Sequence, residues 1–148
     1  MKRVRTEHFI PFPPELVWAV LTDFDAYAEW NPLNIKAAGE PRLGGRVAMT
    51  FINPARPGTT IDQVVRITDF EPPRLLAWEG NVPLLFHGRH HFELLAEAGG
   101  TRLRHGEDMS GLIAMTFSAA TIERDFVPVY EKTNRALEAR VAALSAAN

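Results

Sequence analysis

Proline and glycine are unevenly distributed along this chain, and that asymmetry constrains its fold more than any other feature. Ten of the 11 prolines lie before residue 84, and beyond Gly111 there is one proline and no glycine. Proline removes a backbone donor and both residues mark turns. Everything up to Gly111 therefore reads as short elements joined by turns, and the remainder of the chain is free to form one long helix.

Residues 2–10 alternate as a strand, with Val4, Thr6, His8 and Ile10 on one face and Arg3, Arg5, Glu7 and Phe9 on the other. Pro11-Phe12-Pro13-Pro14 stops it, and prolines are well placed just ahead of a helix. Leu16, Val17, Val20 and Leu21 make the apolar stripe of a short helix over 15–21. Asp23 is placed to cap a second short helix carrying Phe24, Tyr27 and Trp30, which ends at Asn31-Pro32. Further strands are expected over about 34–41, 45–53, 59–71, 74–80, 86–97 and 101–110. Val47, Met49 and Phe51 share a face, as do Phe86, Gly88, His90, Phe92 and Leu94, and again Leu103, His105, Glu107 and Met109. The links Gly44-Gly45, Pro72-Pro73-Arg74 and Gly99-Gly100 are tight turns, so successive strands form hairpins and the sheet is antiparallel.

From Leu112 the period changes. Phe126, Tyr130, Thr133, Leu137, Val141 and Leu144 recur at helical spacing, with Lys132, Arg135, Glu138 and Arg140 on the wet face. Pro128 either starts this helix or kinks a longer one running from about 113, and the kink is the favoured reading. The order of elements predicts an α+β fold with six or seven antiparallel strands and one long covering helix. One helix cannot fill a wide, curved sheet, so an apolar hollow of small-molecule size should remain between them.

Composition agrees with a single domain over residues 1–148, with 46% hydrophobic and 23% charged residues. A net charge of −2 argues against a protein living on phosphate backbones or anionic lipid. The absence of cysteine excludes disulfides, thiolate ligands and a cysteine nucleophile. No stretch has signal-peptide or transmembrane length, so a soluble, cytoplasmic protein is expected. There is no phosphate loop, dinucleotide fingerprint or basic strip interleaved with aromatics, so neither a nucleotide cofactor nor a nucleic-acid partner is expected. The sequence is silent on oligomeric state.

Alternation also sorts the histidines. His90 faces inward with Gly88 and Phe92, while His87, Arg89 and His91 point the other way. His90, His105 and Glu107 can converge from neighbouring strands. Such a set suits acid–base chemistry, with the carboxylate orienting the ring. It would also make a zinc sphere, but spacing across two strands is a weak signal, and hydrogen-bonded polar groups in a wet pocket are the simpler reading. Trp30, Met49, Phe51, Trp78, Phe92 and Met109 are expected to line the hollow, although each singly is equally at home in an ordinary core. Asn31 reads as a capping residue, and Arg102 and Arg104 as solvated surface charge.

Several segments carry a family resemblance. Residues Phe9 to Trp18 look like the opening of the START-like, or SRPBCC, superfamily, and Asp23 to Pro32 resemble its helix ending in Trp-Asn-Pro. Phe86 to Phe92 and Gly100 to Gly111 resemble its last two strands, and Asn134-Arg135-Ala136-Leu137-Glu138 its C-terminal helix motif. The set most resembles the polyketide cyclase/dehydrase-like branch. One departure is 81–86, an apolar loop with a proline, which reads as part of a cavity mouth or lid. The resemblance implies a helix-grip fold with an internal apolar cavity, in a superfamily of lipid carriers, receptors, aromatic cyclases and chaperone co-factors. It leaves two functions as expectations: a carrier or sensor of a small hydrophobic or aromatic ligand, or a cyclase/dehydratase-type enzyme using His90, His105 and Glu107. A protein-interaction role has the least support, since no long exposed apolar stretch is evident.

Overall fold

The structure is a computed structural model that describes residues 1–147. Seven strands form one antiparallel sheet: β1 (Lys2–Ile10), β2 (Asn34–Gly39), β3 (Arg46–Ile52), β4 (Thr60–Glu71), β5 (Leu75–Val82), β6 (Phe86–Glu97) and β7 (Gly100–Ser110). Their order is β1-β7-β6-β5-β4-β3-β2. From β2 to β7 each strand pairs with the next in sequence, as the turn signals require. Only β1 finds a distant partner, pairing with β7 in a register that sets Val4 opposite Glu107 and Thr6 opposite His105. The chain must then cross from one edge of the sheet to the other. It does so through α1 (Pro14–Thr22), a 3-10 turn (Phe24–Ala26) and α2 (Tyr27–Trp30).

The C-terminal helix has three parts: an α-helical turn (Ala119–Thr121), a π-helical turn (Ile122–Phe126) and a long α-helix (Val127–Ala146). It buries Tyr130, Thr133, Asn134, Leu137 and Val141. It begins at Ala119 rather than near 113, because Gly111 adopts a positive φ of 101° and a 3-10 turn (Ala114–Thr116) intervenes. Ser118 then caps the helix, its Oγ accepting from the Thr121 backbone N–H at 3.1 Å. Pro128 lies inside this helix. It has no N–H for the carbonyl four residues back, and the wider π turn just before it absorbs the defect.

Three local expectations are corrected. The Asp23 side chain makes no capping hydrogen bond at the 3-10 turn it precedes. Leu144 is 44% exposed, so the apolar stripe ends at Val141. Segment 81–86 is not a loop: β5 runs on to Val82, and Pro83 to Leu85 make a tight turn in which Leu84 has a φ of 68°.

The interior holds two apolar clusters. The larger joins Ile10, Leu21, Ile67, Leu76, Leu103 and Leu137, among others. The smaller gathers Val4, Leu33, Met109, Ile122, Phe126 and Tyr130. Between them lie two buried histidine rings, in contact with Phe92 of the first cluster and Tyr130 of the second. Among the described residues no helix is long and apolar enough to cross a membrane.

Candidate functional site

The hollow anticipated between sheet and helix lies at one end of the sheet. Its outer part, about 710 Å³, is bounded by the β3–β4 loop, the β5–β6 hairpin, β7 and the start of the C-terminal helix, with Phe51, Pro54, Phe86, Met109 and Phe126 among its walls. It adjoins an inner chamber of about 60 Å³, with which it shares Phe51, Pro54, Gln63, Phe86, Glu107 and Phe126. The chamber alone reaches Asn34, Trp78, His90 and Tyr130.

Two glycines make this chamber. Gly80 and Gly88 are directly opposed across β5 and β6, and both line it. A Cβ on Gly88 would come within 2.9 Å of Phe86 and 3.2 Å of Glu107 Oε2, and one on Gly80 within 2.5 Å of Gln63. Glycine inside a strand weakens it, and here the missing side chains leave the space a ligand needs.

A chain of polar side chains runs inward from the chamber. His90 stands opposite Glu107 in the β6–β7 ladder, and its Nδ1 is 3.1 Å from Glu107 Oε1. His90 Nε2 is 2.7 Å from His105 Nε2, and His105 Nδ1 is 2.7 Å from Asn134 Oδ1. Asn134 Nδ2 donates to Thr6 Oγ1 at 2.9 Å, and the Thr6 hydroxyl donates to the His105 backbone carbonyl at 2.7 Å. The His90 ring is stacked on Trp78 and Tyr130, with centroids 5.0 and 5.4 Å away.

The last member fixes the protons of all the others. A backbone carbonyl only accepts, so the Thr6 proton goes to it, and Asn134 must present its nitrogen to Thr6 and its oxygen to His105. His105 Nδ1 is therefore the protonated nitrogen. Burial holds His105 well below the usual histidine range, so its ring is neutral and Nε2 accepts from His90 Nε2–H. Burial likewise pushes His90 down to about 3, leaving a lone pair on Nδ1. The proton shared with Glu107 then belongs to the carboxyl group. Consistently, burial pushes Glu107 up to about 7, against the opposing pull of the Tyr130 hydroxyl directed at it. The structure thus presents Glu107 as a neutral acid at the end of a polarised chain, able to release or take a proton near neutral pH.

Of the candidates from sequence, His90 and Glu107 meet at the chamber, and His105 lies one ring deeper, touching the cavity only through His90. Phe51 and Trp78 line the chamber and Met109 the outer hollow. Phe92 and Met49, at 1% and 2% exposure, are packed in the core and line neither part. Trp30 lies away from the hollow, in a separate groove of about 260 Å³ between α1 and the end of the C-terminal helix. Asn31 is a cap, its Oδ1 accepting from the Leu33 and Asn34 backbone N–H groups at 2.9 and 2.8 Å. Arg104 and Arg102 point outward to Glu7 and Glu97. The His90–His105 separation is that of a hydrogen bond, and among the described residues no His/Asp/Glu group is arranged to hold a metal ion.

Sequence reasoning missed Asn34, Tyr130, Asn134 and Thr6 as site residues. Tyr130 and Asn134 carry a signal, since i and i+4 positions share one helix face and a buried asparagine needs partners. Thr6 sits on the inward face of β1, where a polar residue marks the same need.

Similarity to solved structures supports the architecture. A START superfamily protein from Mycobacterium smegmatis superposes with a TM-score of 0.77 at 15% identity, covering 96% of this chain and 98% of that one. The Zhui aromatase/cyclase from Streptomyces sp. R1128 gives 0.74 at 20% identity, covering 95% and 93%. A protein from Rhodobacter sphaeroides gives 0.70 at 24% identity, covering 96% and 93%. At these identities the likeness is one of fold. No curated protein sequence matches the chain. The family model described as polyketide cyclase/dehydrase and lipid transport matches residues 1–142, and with the seven-stranded sheet and its long C-terminal helix this places the chain in that family.

Proposed function

We propose that the protein binds a small hydrophobic or aromatic molecule between sheet and helix, as a carrier or sensor, with the molecule's polar end against Glu107 and Tyr130. The carrying observation is the hollow itself. Its volume of about 710 Å³ is that of a small-molecule site, its walls are mainly apolar, and it narrows onto one titratable carboxyl. The family's description, which couples cyclases and dehydrases with lipid transport, supports the same reading.

One observation favours a second reading, a cyclase/dehydratase-type enzyme. A carboxyl group with a pKa of about 7, bonded to a neutral imidazole, is tuned for proton transfer at neutral pH. His105 then positions His90 and does not itself touch substrate.

Nile red, a neutral apolar dye, tests the binding reading by fluorescence titration. The wild type is expected to bind it, and Gly88→Ala to weaken binding about tenfold by intruding on the chamber. Failure of the dye to bind, or equal affinity in a Gly88→Ala protein with unchanged circular dichroism, would contradict the assignment.

A further inference from the structure

We propose that the buried end of the ligand is a hydroxyl group that donates to Asn34 Oδ1, so that the chamber takes alcohols or phenols and rejects carboxylates. This rests on the cavity-binding reading and adds the chemical class of what the cavity holds.

Asn34 begins β2 and is 3% exposed. Its backbone N–H is already used, donating to Asn31 Oδ1. Its side-chain Nδ2 lies 3.6 Å from Met49 Sδ. A thioether sulfur accepts and never donates, so the amide nitrogen belongs on that side. The oxygen is left over, buried and without a partner, on a residue that lines the chamber. Leaving a buried acceptor unpaired is costly, and a donor brought by the ligand removes that cost.

Two of the donors that face the chamber are already engaged. The Glu107 proton goes to His90 Nδ1, and the Tyr130 hydroxyl is directed at Glu107. What these two groups still offer toward the chamber is lone pairs. A hydroxyl can donate to Asn34 and keep its own lone pairs for the Gln63 amide in the same wall.

Charge points the same way. No lysine or arginine lines the chamber, so a carboxylate would meet Glu107 and the Asn34 oxygen with no counter-charge. In the outer hollow, Arg124 is held by two 2.8 Å bonds to Asp125, and Arg56 shares the wall with Asp62. At about 60 Å³ the chamber has room for a hydroxyl and the edge of a ring, while the body of the ligand occupies the outer hollow.

Four matched probes test this by displacement of Nile red at pH 6, where Glu107 is mainly protonated: naphthalene, 2-naphthol, 2-methoxynaphthalene and 2-naphthoate. The ether keeps the oxygen of the phenol and loses only its proton. The wild type is expected to bind 2-naphthol about tenfold more tightly than the ether and the carboxylate, because a site that pairs a buried group with a ligand hydroxyl discriminates against analogues lacking it. Asn34→Leu should remove most of that preference, so that 2-naphthol and the ether bind within about threefold of each other. Ether or carboxylate binding as tightly as the phenol in the wild type would overturn the proposal, whatever the variant does. So would an undiminished preference in well-folded Asn34→Leu. If none of the four enters the protein, the cavity-binding reading itself fails and the hydroxyl assignment falls with it; if naphthalene binds and the phenol gains nothing, only the assignment fails.

Discussion

Phe92→Ala is expected to lower the unfolding free energy by about 3–5 kcal/mol while leaving the Nile red affinity of the folded protein nearly unchanged. Phe92 is 1% exposed and belongs to the larger apolar cluster. Its ring lies on His105 at 4.2 Å between centroids and is tilted against Trp78 at 5.6 Å. Truncation would leave a void between them and strip packing from the histidine that anchors the polar chain. Urea denaturation followed by circular dichroism measures the loss. A cost under about 1 kcal/mol together with a large loss of dye binding would show instead that Phe92 is a cavity wall.

Glu107→Gln should stabilise the protein relative to wild type, and increasingly so as pH rises. In the folded state burial raises the carboxyl from 4.5 to about 7. A raised folded pKa favours the fold fully below the unfolded value, and that contribution is lost as pH rises through the folded value. Between pH 5.5 and pH 8 the wild type should lose about 2 kcal/mol from this group. The amide of the variant does not ionise, its N–H donates to His90 Nδ1 as the protonated acid does, and its oxygen can accept from Tyr130. His90 and His105 act in the opposite sense: their folded pKa values are depressed, so their contribution is present above 6.5 and lost toward acid. Both proteins keep these histidines, so the difference between variant and wild type isolates Glu107. Chemical denaturation across that range should show the difference growing by about 2 kcal/mol, and a constant difference would contradict a neutral buried acid. On the enzyme reading the same variant loses turnover by roughly 10²–10⁴-fold while still binding ligand.

The sheet was legible because alternation and turn residues are local. The Gly99-Gly100 hairpin alone brings β6 against β7, so the meeting of His90 with Glu107 results from parity and a short link. Parity does not say how far along a strand the cavity lies. His90 and Phe92 share a face, yet one step of about 6.6 Å puts the first at the chamber and the second in the core. Phe51 and Met49 divide in the same way. The cavity occupies one end of the sheet because Gly80 and Gly88 empty it there, and their opposition depends on the β5–β6 register. The start of the C-terminal helix was hidden for a related reason. Residues 112–118 contain no proline or glycine, and Ser118 ends the preceding turn by a capping bond that composition alone does not reveal. Asn34 escaped because, at the start of an expected strand, nothing in its local sequence shows that Met49 and the chamber lie against its side chain.

Entry of a small molecule with an apolar body between sheet and helix, as far as Glu107, is tested most directly by following backbone amide chemical shifts while 2-naphthol is added. Saturable shifts are expected, centred on Asn34, Gly80, Phe86, Gly88, Glu107 and Tyr130, where β2, β5, β6, β7 and the helix surround the chamber. Shifts confined to Leu16, Ala19, Trp30 and Val141 would place binding in the groove beside α1 and contradict entry at the chamber, as would no saturable shift anywhere.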